Sequence, residues 1–273
     1  MDINNIKEYL NSFRGDILDQ EILIFLNILK ENVVSQNNQI IAKEIWCLEQ
    51  IYKIIHHYLE AFNNLNDKEY YAAWCLFDQI EIRLSYLRRH LSAEETYNLE
   101  FYDRIIFQYQ MLFPYKYFFS RESVIRKSTC SICGKIASLR DSCGHKVGEI
   151  YDGKLCIRRI NEAQLLAISV VQNPFDKYAV LFPEGLEYNY SMLENLLEQL
   201  SGPYDDWGLE TIKEKRIEFV GVGRNAPCPC NSQKKYKLCC HNTVDELFDH
   251  HRITIYTDIP KKRIPVKMFN SWK

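Results

Sequence analysis

The chain has 273 residues, 47% of them hydrophobic and 13% aromatic, which is enough material for a sizeable core and for more than one domain. Its net charge of −2 singles out no class of partner and counts against a dedicated nucleic-acid binder. No segment approaches the ~20 uninterrupted apolar residues of a membrane span, and the opening MDINNIKEYL lacks the basic and apolar regions of a signal peptide.

Residues 1–112 read as a helical bundle. Apolar residues recur at three- and four-residue spacing in EILIFLNILK, IIAKEIWCLEQIYKIIHHYLEAF and YYAAWCLFDQIEIRLSYLRRHL, and no proline precedes Pro114. Ser92 followed by Glu95 forms a capping-box pattern opening a further helix over SAEETYNLEFYDRIIFQY. Trp46, Cys47, Trp74 and Cys75 fall within the apolar stripes and read as core, while His56 and His57 read as surface or inter-helix packing. Arg83 and His90 are seven positions apart, which puts both on one helical face, two turns apart. That pair is similar to the Arg-x4–6-His signature of HEPN ribonucleases, a resemblance implying RNA cleavage, although Leu84 stands where that family carries a polar residue.

From Phe113 the pattern changes to aromatic and β-branched runs broken by turns, PYKYFFS, SVIRK, KLCIRRI, LLAISVV and KYAVLF, so residues 113–209 read as a small, mostly antiparallel β-rich domain. Within it Cys130 and Cys133 form a CxxC hook, and Cys143 and His145 follow after a nine-residue connector. The spacing reads as a Cys3His zinc knuckle, with Gly134 and Gly144 permitting the tight turns around the ligands. Cys156 is a rival to His145 as fourth ligand. SMLENLLEQL, behind Asn189 and Ser191 as caps, reads as a short amphipathic helix, and SGPYDDWG as a linker.

The densest chemistry lies in residues 221–241, GVGRNAPCPCNSQKKYKLCCH, where Cys228, Cys230, Cys239 and Cys240 fall within thirteen positions. Four thiolates this close satisfy tetrahedral zinc and leave no open position, which makes the site structural. A segment too short for a core of its own draws its folding free energy from the metal, on the order of 10–16 kcal/mol. Arg224, Lys234, Lys235 and Lys237 surround the cluster with no acidic residue among them. Two zinc ions per chain are therefore expected. Clustered thiols of this kind, in a chain with ten cysteines, point to metal in a reducing cytoplasm and away from disulfides.

Gly223-Arg224-Asn225, Pro227-Cys228-Pro229-Cys230, Lys234-Lys235-Tyr236-Lys237 and Cys239-Cys240 together resemble the SEC-C motif, the zinc-binding tail of the export motor SecA that is also attached to many unrelated bacterial proteins. Asn231 and Gln233 depart from it, standing where glycines are usual. The family uses either cysteine or histidine directly after its third ligand, so Cys240 is the expected fourth ligand and His241 its rival. The resemblance also implies contact with chaperones or ribosomes, through Arg224, Lys234, Lys235 and Lys237.

The expected fold class is α+β: the helical bundle, the β-rich zinc-knuckle domain, the C-terminal knuckle, and a basic tail over residues 242–273 carrying Lys261, Lys262, Arg263, Lys267 and Lys273. There is no GxxxxGK[ST] loop, no GxSxG and no HExxH. The reading that follows is a non-catalytic adaptor docking its cationic knuckle on an acidic protein surface. The alternative is a nucleic-acid binder that stacks bases on Tyr236 and Trp272 and uses Arg83 and His90 as a ribonuclease pair.

Overall fold

The computed structural model describes residues 2–92, 96–138, 140–243, 245–256 and 271–272. Five helices come first: α1 (Ile3–Ser12), α2 (Glu21–Ser35), α3 (Gln39–Asn66), α4 (Tyr70–Leu87) and α5 (Leu99–Leu112). The Asp2 side chain caps α1 through the Asn5 amide, and Asn38 caps α3 through that of Ile41. At 28 residues, α3 runs about 42 Å. It is the central element, with Ile45, Ile51, Ile54, Ile55 and Tyr58 fully buried against the flanking helices. Trp46, Cys47 and Trp74 are core residues, and Cys75 packs against that core.

The helix expected to open at Ser92 begins instead at Leu99. Tyr97 and Asn98 both take left-handed φ values, 40° and 56°, which break the helical path just before it. Glu95 of the expected capping box lies outside the described residues, as do Lys261, Lys262, Arg263, Lys267 and Lys273.

The rest is short helix and two-stranded antiparallel sheet, so the fold is α+β. PYKYFFS and SVIRK merge into one strand, β1 (Phe118–Cys130), pairing with β4 (Arg158–Val171). Between them β2 (Ile150–Tyr151) and β3 (Lys154–Leu155) form a small hairpin. KYAVLF contributes only an isolated bridge, Phe118 to Val180. Helix α6 (Ser191–Leu197) starts where predicted, with the Asn189 side chain accepting from the Ser191 amide at 3.1 Å. Strand β5 (Trp207–Lys215) pairs with β6 (Leu247–Ile255).

SGPYDDWG is not a free linker. Trp207 is fully buried, its ring edge-on to Tyr109 with centroids 5.1 Å apart, and the Tyr58 hydroxyl donates to the Pro203 carbonyl. One hydrophobic core thus runs from Ile6 through the helices to Phe118, Leu193 and Trp207. A second, small core lies under the C-terminal cysteines: Phe219, Cys228, Tyr236 and Cys240. Among the described residues no helix is long and apolar enough to cross a membrane.

Candidate metal centres

At the C-terminal centre the chain folds back on itself. The Cys228 amide donates to Lys234 O at 2.8 Å, Tyr236 N to Ala226 O at 2.8 Å and Lys237 N to Arg224 O at 2.9 Å, forming a miniature hairpin that carries Cys228 and Cys230 on one arm. A 3-10 turn over Tyr236–Leu238 then delivers Cys239 and Cys240. All four sulfurs lie within 4.8 Å of one another, with Cys230 to Cys239 at 3.4 Å and Cys239 to Cys240 at 3.7 Å. Tetrahedral zinc at about 2.3 Å from each thiolate would space the sulfurs about 3.8 Å apart, close to these separations and far from a disulfide bond. Asn231 and Gln233, at the positions where glycine is usual, both adopt left-handed φ, 61° and 60°; for Gln233 that conformation costs roughly 1 kcal/mol.

The thiols are tuned unequally. Hydrogen bonding from Ser232, first through its hydroxyl, lowers Cys230 to about 6, the thiolate form that binds metal at neutral pH, while burial pushes Cys240 upward. His241, the rival to Cys240, turns its ring onto Tyr236 at 5.1 Å and is not part of the sulfur cluster. Arg224, Lys234, Lys235 and Lys237 are all exposed, and none has an ion-pair partner among the described residues.

A residue that sequence reasoning missed fastens this knuckle to the body. Glu246, fully buried, accepts from the Tyr236 hydroxyl and the Asn242 amide and pairs with Lys215 at 2.5 Å. Lys215 is the main reason its carboxyl is held down at about 2, against an ordinary 4.5. A depressed carboxylate contributes its full stability above the unfolded-state value and loses it as pH falls from about 4.5 toward 2. Glu246→Gln should therefore speed hydrogen exchange at the Asn242 amide at pH 7. The gap between variant and wild type should shrink across that acid window, whereas a constant gap would show that the charge is irrelevant.

At the central centre, Cys130 ends β1 and Cys133 sits in the following turn, closed by Gly134 N to Cys130 O at 2.9 Å with Gly134 at φ +73°. Cys143 and His145 flank Gly144, also at positive φ. The ligand atoms of Cys130, Cys133, Cys143 and His145 lie within 4.8 Å of one another. His145 Nδ1 is buried with no hydrogen-bond partner among the described residues, an orphan that a metal ion would satisfy. Backbone amides, that of Cys133 foremost, lower the Cys130 thiol to about 6. Cys156 is buried with its sulfur 3.8 Å from that of Cys130 but stands outside the four-atom group, and burial raises it to about 11. The group Cys130, Cys133, Cys143 and His145 could hold a metal ion, with the Cys156 sulfur beside it.

This knuckle is docked on the bundle. His90 Nε2 donates to Gly148 O at 2.8 Å, and Asp152 exchanges two hydrogen bonds with Gln39. Gly153, at φ +63°, lies so close to Lys30 that a Cβ would fall 2.6 Å from Cδ of that side chain. His90 is thereby taken. Helix α4 ends at Leu87, so His90 lies beyond it and shares no helical face with Arg83, contrary to the sequence expectation; Arg83 bonds Gln50 at 2.9 Å. The ligand atoms of His56, His57 and Glu60 also approach one another. Burial, then Arg83, lowers His57 to about 4, and the positive charges of Arg83 and Lys53 beside it oppose a metal ion there. Tyr236 is buried, and Trp272 stacks on Tyr188 at 4.3 Å, so neither ring is free to stack on a base.

Residues 224–242 match the family model of the SEC-C motif. Protein translocase subunit SecA of Syntrophus aciditrophicus (strain SB) is 38% identical over 84 residues, 31% of this chain and 9% of that protein. Protein translocase subunit SecA 1 of Rhodopirellula baltica is 57% identical over 30 residues, 11% of this chain and 2% of that protein. The chain thus spans less than a tenth of the length of these relatives. No solved structure matches it. SEC-C is a zinc-binding motif of SecA-like proteins, and both cysteine clusters fit metal binding.

Proposed function

We propose that this chain is a non-catalytic, zinc-dependent adaptor of the reducing cytoplasm, which docks its C-terminal knuckle on an acidic protein surface such as that of a chaperone or ribosome component. Cys228, Cys230, Cys239 and Cys240 hold one zinc ion, and Cys130, Cys133, Cys143 and His145 a second. The observation carrying this reading is the set of four exposed cations, Arg224, Lys234, Lys235 and Lys237, without ion-pair partners among the described residues and without an acidic residue between Gly221 and His241. Such a surface gains a fast, salt-sensitive encounter with negative charge. A nucleic-acid reading has less support, because both rings it needs are engaged.

The test is capture of cellular partners by the full chain and by the triple variant Lys234→Gln, Lys235→Gln, Lys237→Gln, each with and without nuclease. Neutralising the lysines leaves every sulfur in place, so zinc content should be unchanged while partner recovery falls roughly tenfold and fades with added salt. Undiminished capture by the triple variant would sink the docking role. Loss of every partner on nuclease treatment would turn the knuckle toward nucleic acid.

A further inference from the structure

The β1–β4 ribbon is anchored at both ends and bare between them. At its base Phe118 enters the main core, and at its tip Cys130 enters the central knuckle, which docks on the bundle through β2 and β3. Nearly every residue of β4 is exposed. An isolated two-stranded ribbon is marginally stable in water, and this one exposes many large apolar side chains.

Those side chains share a single face. Successive strand residues alternate sides, and paired residues share one. Phe119 pairs with Val170 and Arg121 with Ile168, and on β1 the same side continues to Ser123 and Ile125. A register shift then inserts Leu166, so that Leu165, paired with Ser123, joins Leu166 on that side. Two further shifts bring Ile160, paired with Ser128, back to it. Without these shifts the apolar residues would be divided between the two faces. The opposite face carries Ser120, Glu122, Gln164, Lys127 and Glu162. Seven large apolar residues of the first face are 43% to 59% exposed.

We propose that this face is the interface of a two-fold homodimer, two ribbons stacking apolar side to apolar side. Charge favours a second copy over a charged partner. Between base and tip the face bears one ionic group, Arg121, already bonded to Asp176 and Tyr178, so it offers nothing for an acidic or basic surface to recognise. Area is sufficient as well. Half-exposed side chains of this size present on the order of 80 Å² each, so seven from each copy bury about 1,100 Å² in total, above the roughly 1,000 Å² that a specific interface must clear. A self-complementary apolar patch is also what a two-fold operator requires.

The experiment is sedimentation velocity of the zinc-loaded full chain at micromolar concentrations, beside the variants Leu165→Glu/Ile168→Glu and Gln164→Glu. The wild type should run at twice the 32.5 kDa of one chain. The double variant on the apolar face should run as a single chain with unchanged circular dichroism and zinc content, a weakening of roughly a hundredfold or more. Gln164→Glu, on the polar face of the same strand, should remain dimeric. Should the double variant misfold, hydrogen exchange of the wild type decides: protection of residues 163–170 should fall on dilution. A wild-type chain that is monomeric throughout, or a dimer that survives the double variant, overturns the proposal. So does capture of an extended apolar polypeptide on this face by a monomeric wild type, which assigns the face to a client.

Discussion

Stripping zinc from the purified chain should unfold the C-terminal knuckle and leave the helical core standing. The small core there consists of Phe219, Cys228, Tyr236 and Cys240, two of them thiols of the cysteine cluster, so without metal little apolar burial remains to order the segment. The stabilisation at stake is on the order of 10–16 kcal/mol, far more than any single side-chain contact. The core running from Ile6 to Trp207 does not depend on that metal. Metal released from denatured wild type should amount to two zinc ions per chain, and Cys228→Ser should release one. After chelation, hydrogen exchange should accelerate across residues 224–242 while the helical signal persists. One zinc ion in the wild type would remove the Cys130–His145 centre, and two in Cys228→Ser would remove the C-terminal one.

Trp207→Ala should be the most damaging substitution outside the metal centres. The side chain is fully buried at the first residue of β5, set against Tyr109 of α5 and opposite Ile255 in the strand pair. Truncation leaves a cavity that the surrounding helices cannot close, at a cost of about 3–5 kcal/mol. For a chain of this size that lowers the melting temperature by about 10 °C. Denaturant melts of both proteins, with metal content measured in parallel, check it. A loss below about 1 kcal/mol would mean that the site collapses around the missing ring.

How much of this was legible in the sequence depended on the range of the interaction. The cysteine sites could be read because their ligands are close in sequence and their chemistry admits few partners: Cys228, Cys230, Cys239 and Cys240 meet as spacing alone suggests, and so do Cys130, Cys133, Cys143 and His145. The buried stripes of α3 and α4 were equally visible through their period. Glu246 was not, because its three partners, Lys215, Tyr236 and Asn242, are gathered from separate turns and no local pattern distinguishes it from a surface acid. Trp207 was hidden by the glycine, proline and aspartates around it, which signal a loop, although that loop is pinned across the bundle. The helix start was misplaced because a capping box at Ser92 is a local preference, and two left-handed residues at 97 and 98 override it.

The pairing of β5 with β6 closes the stretch from Arg216 to Glu246 into a loop whose two ends lie side by side, Lys215 opposite Leu247. Bringing together the ends of a free segment that long costs on the order of 3 kcal/mol. Here the strand pair meets that cost, so a bound ion has only the interior of the loop to arrange. The zinc-binding stretch is therefore a cassette held in a hairpin's mouth, and it could be exchanged for another sequence, or for a tight turn, without rerouting the chain on either side.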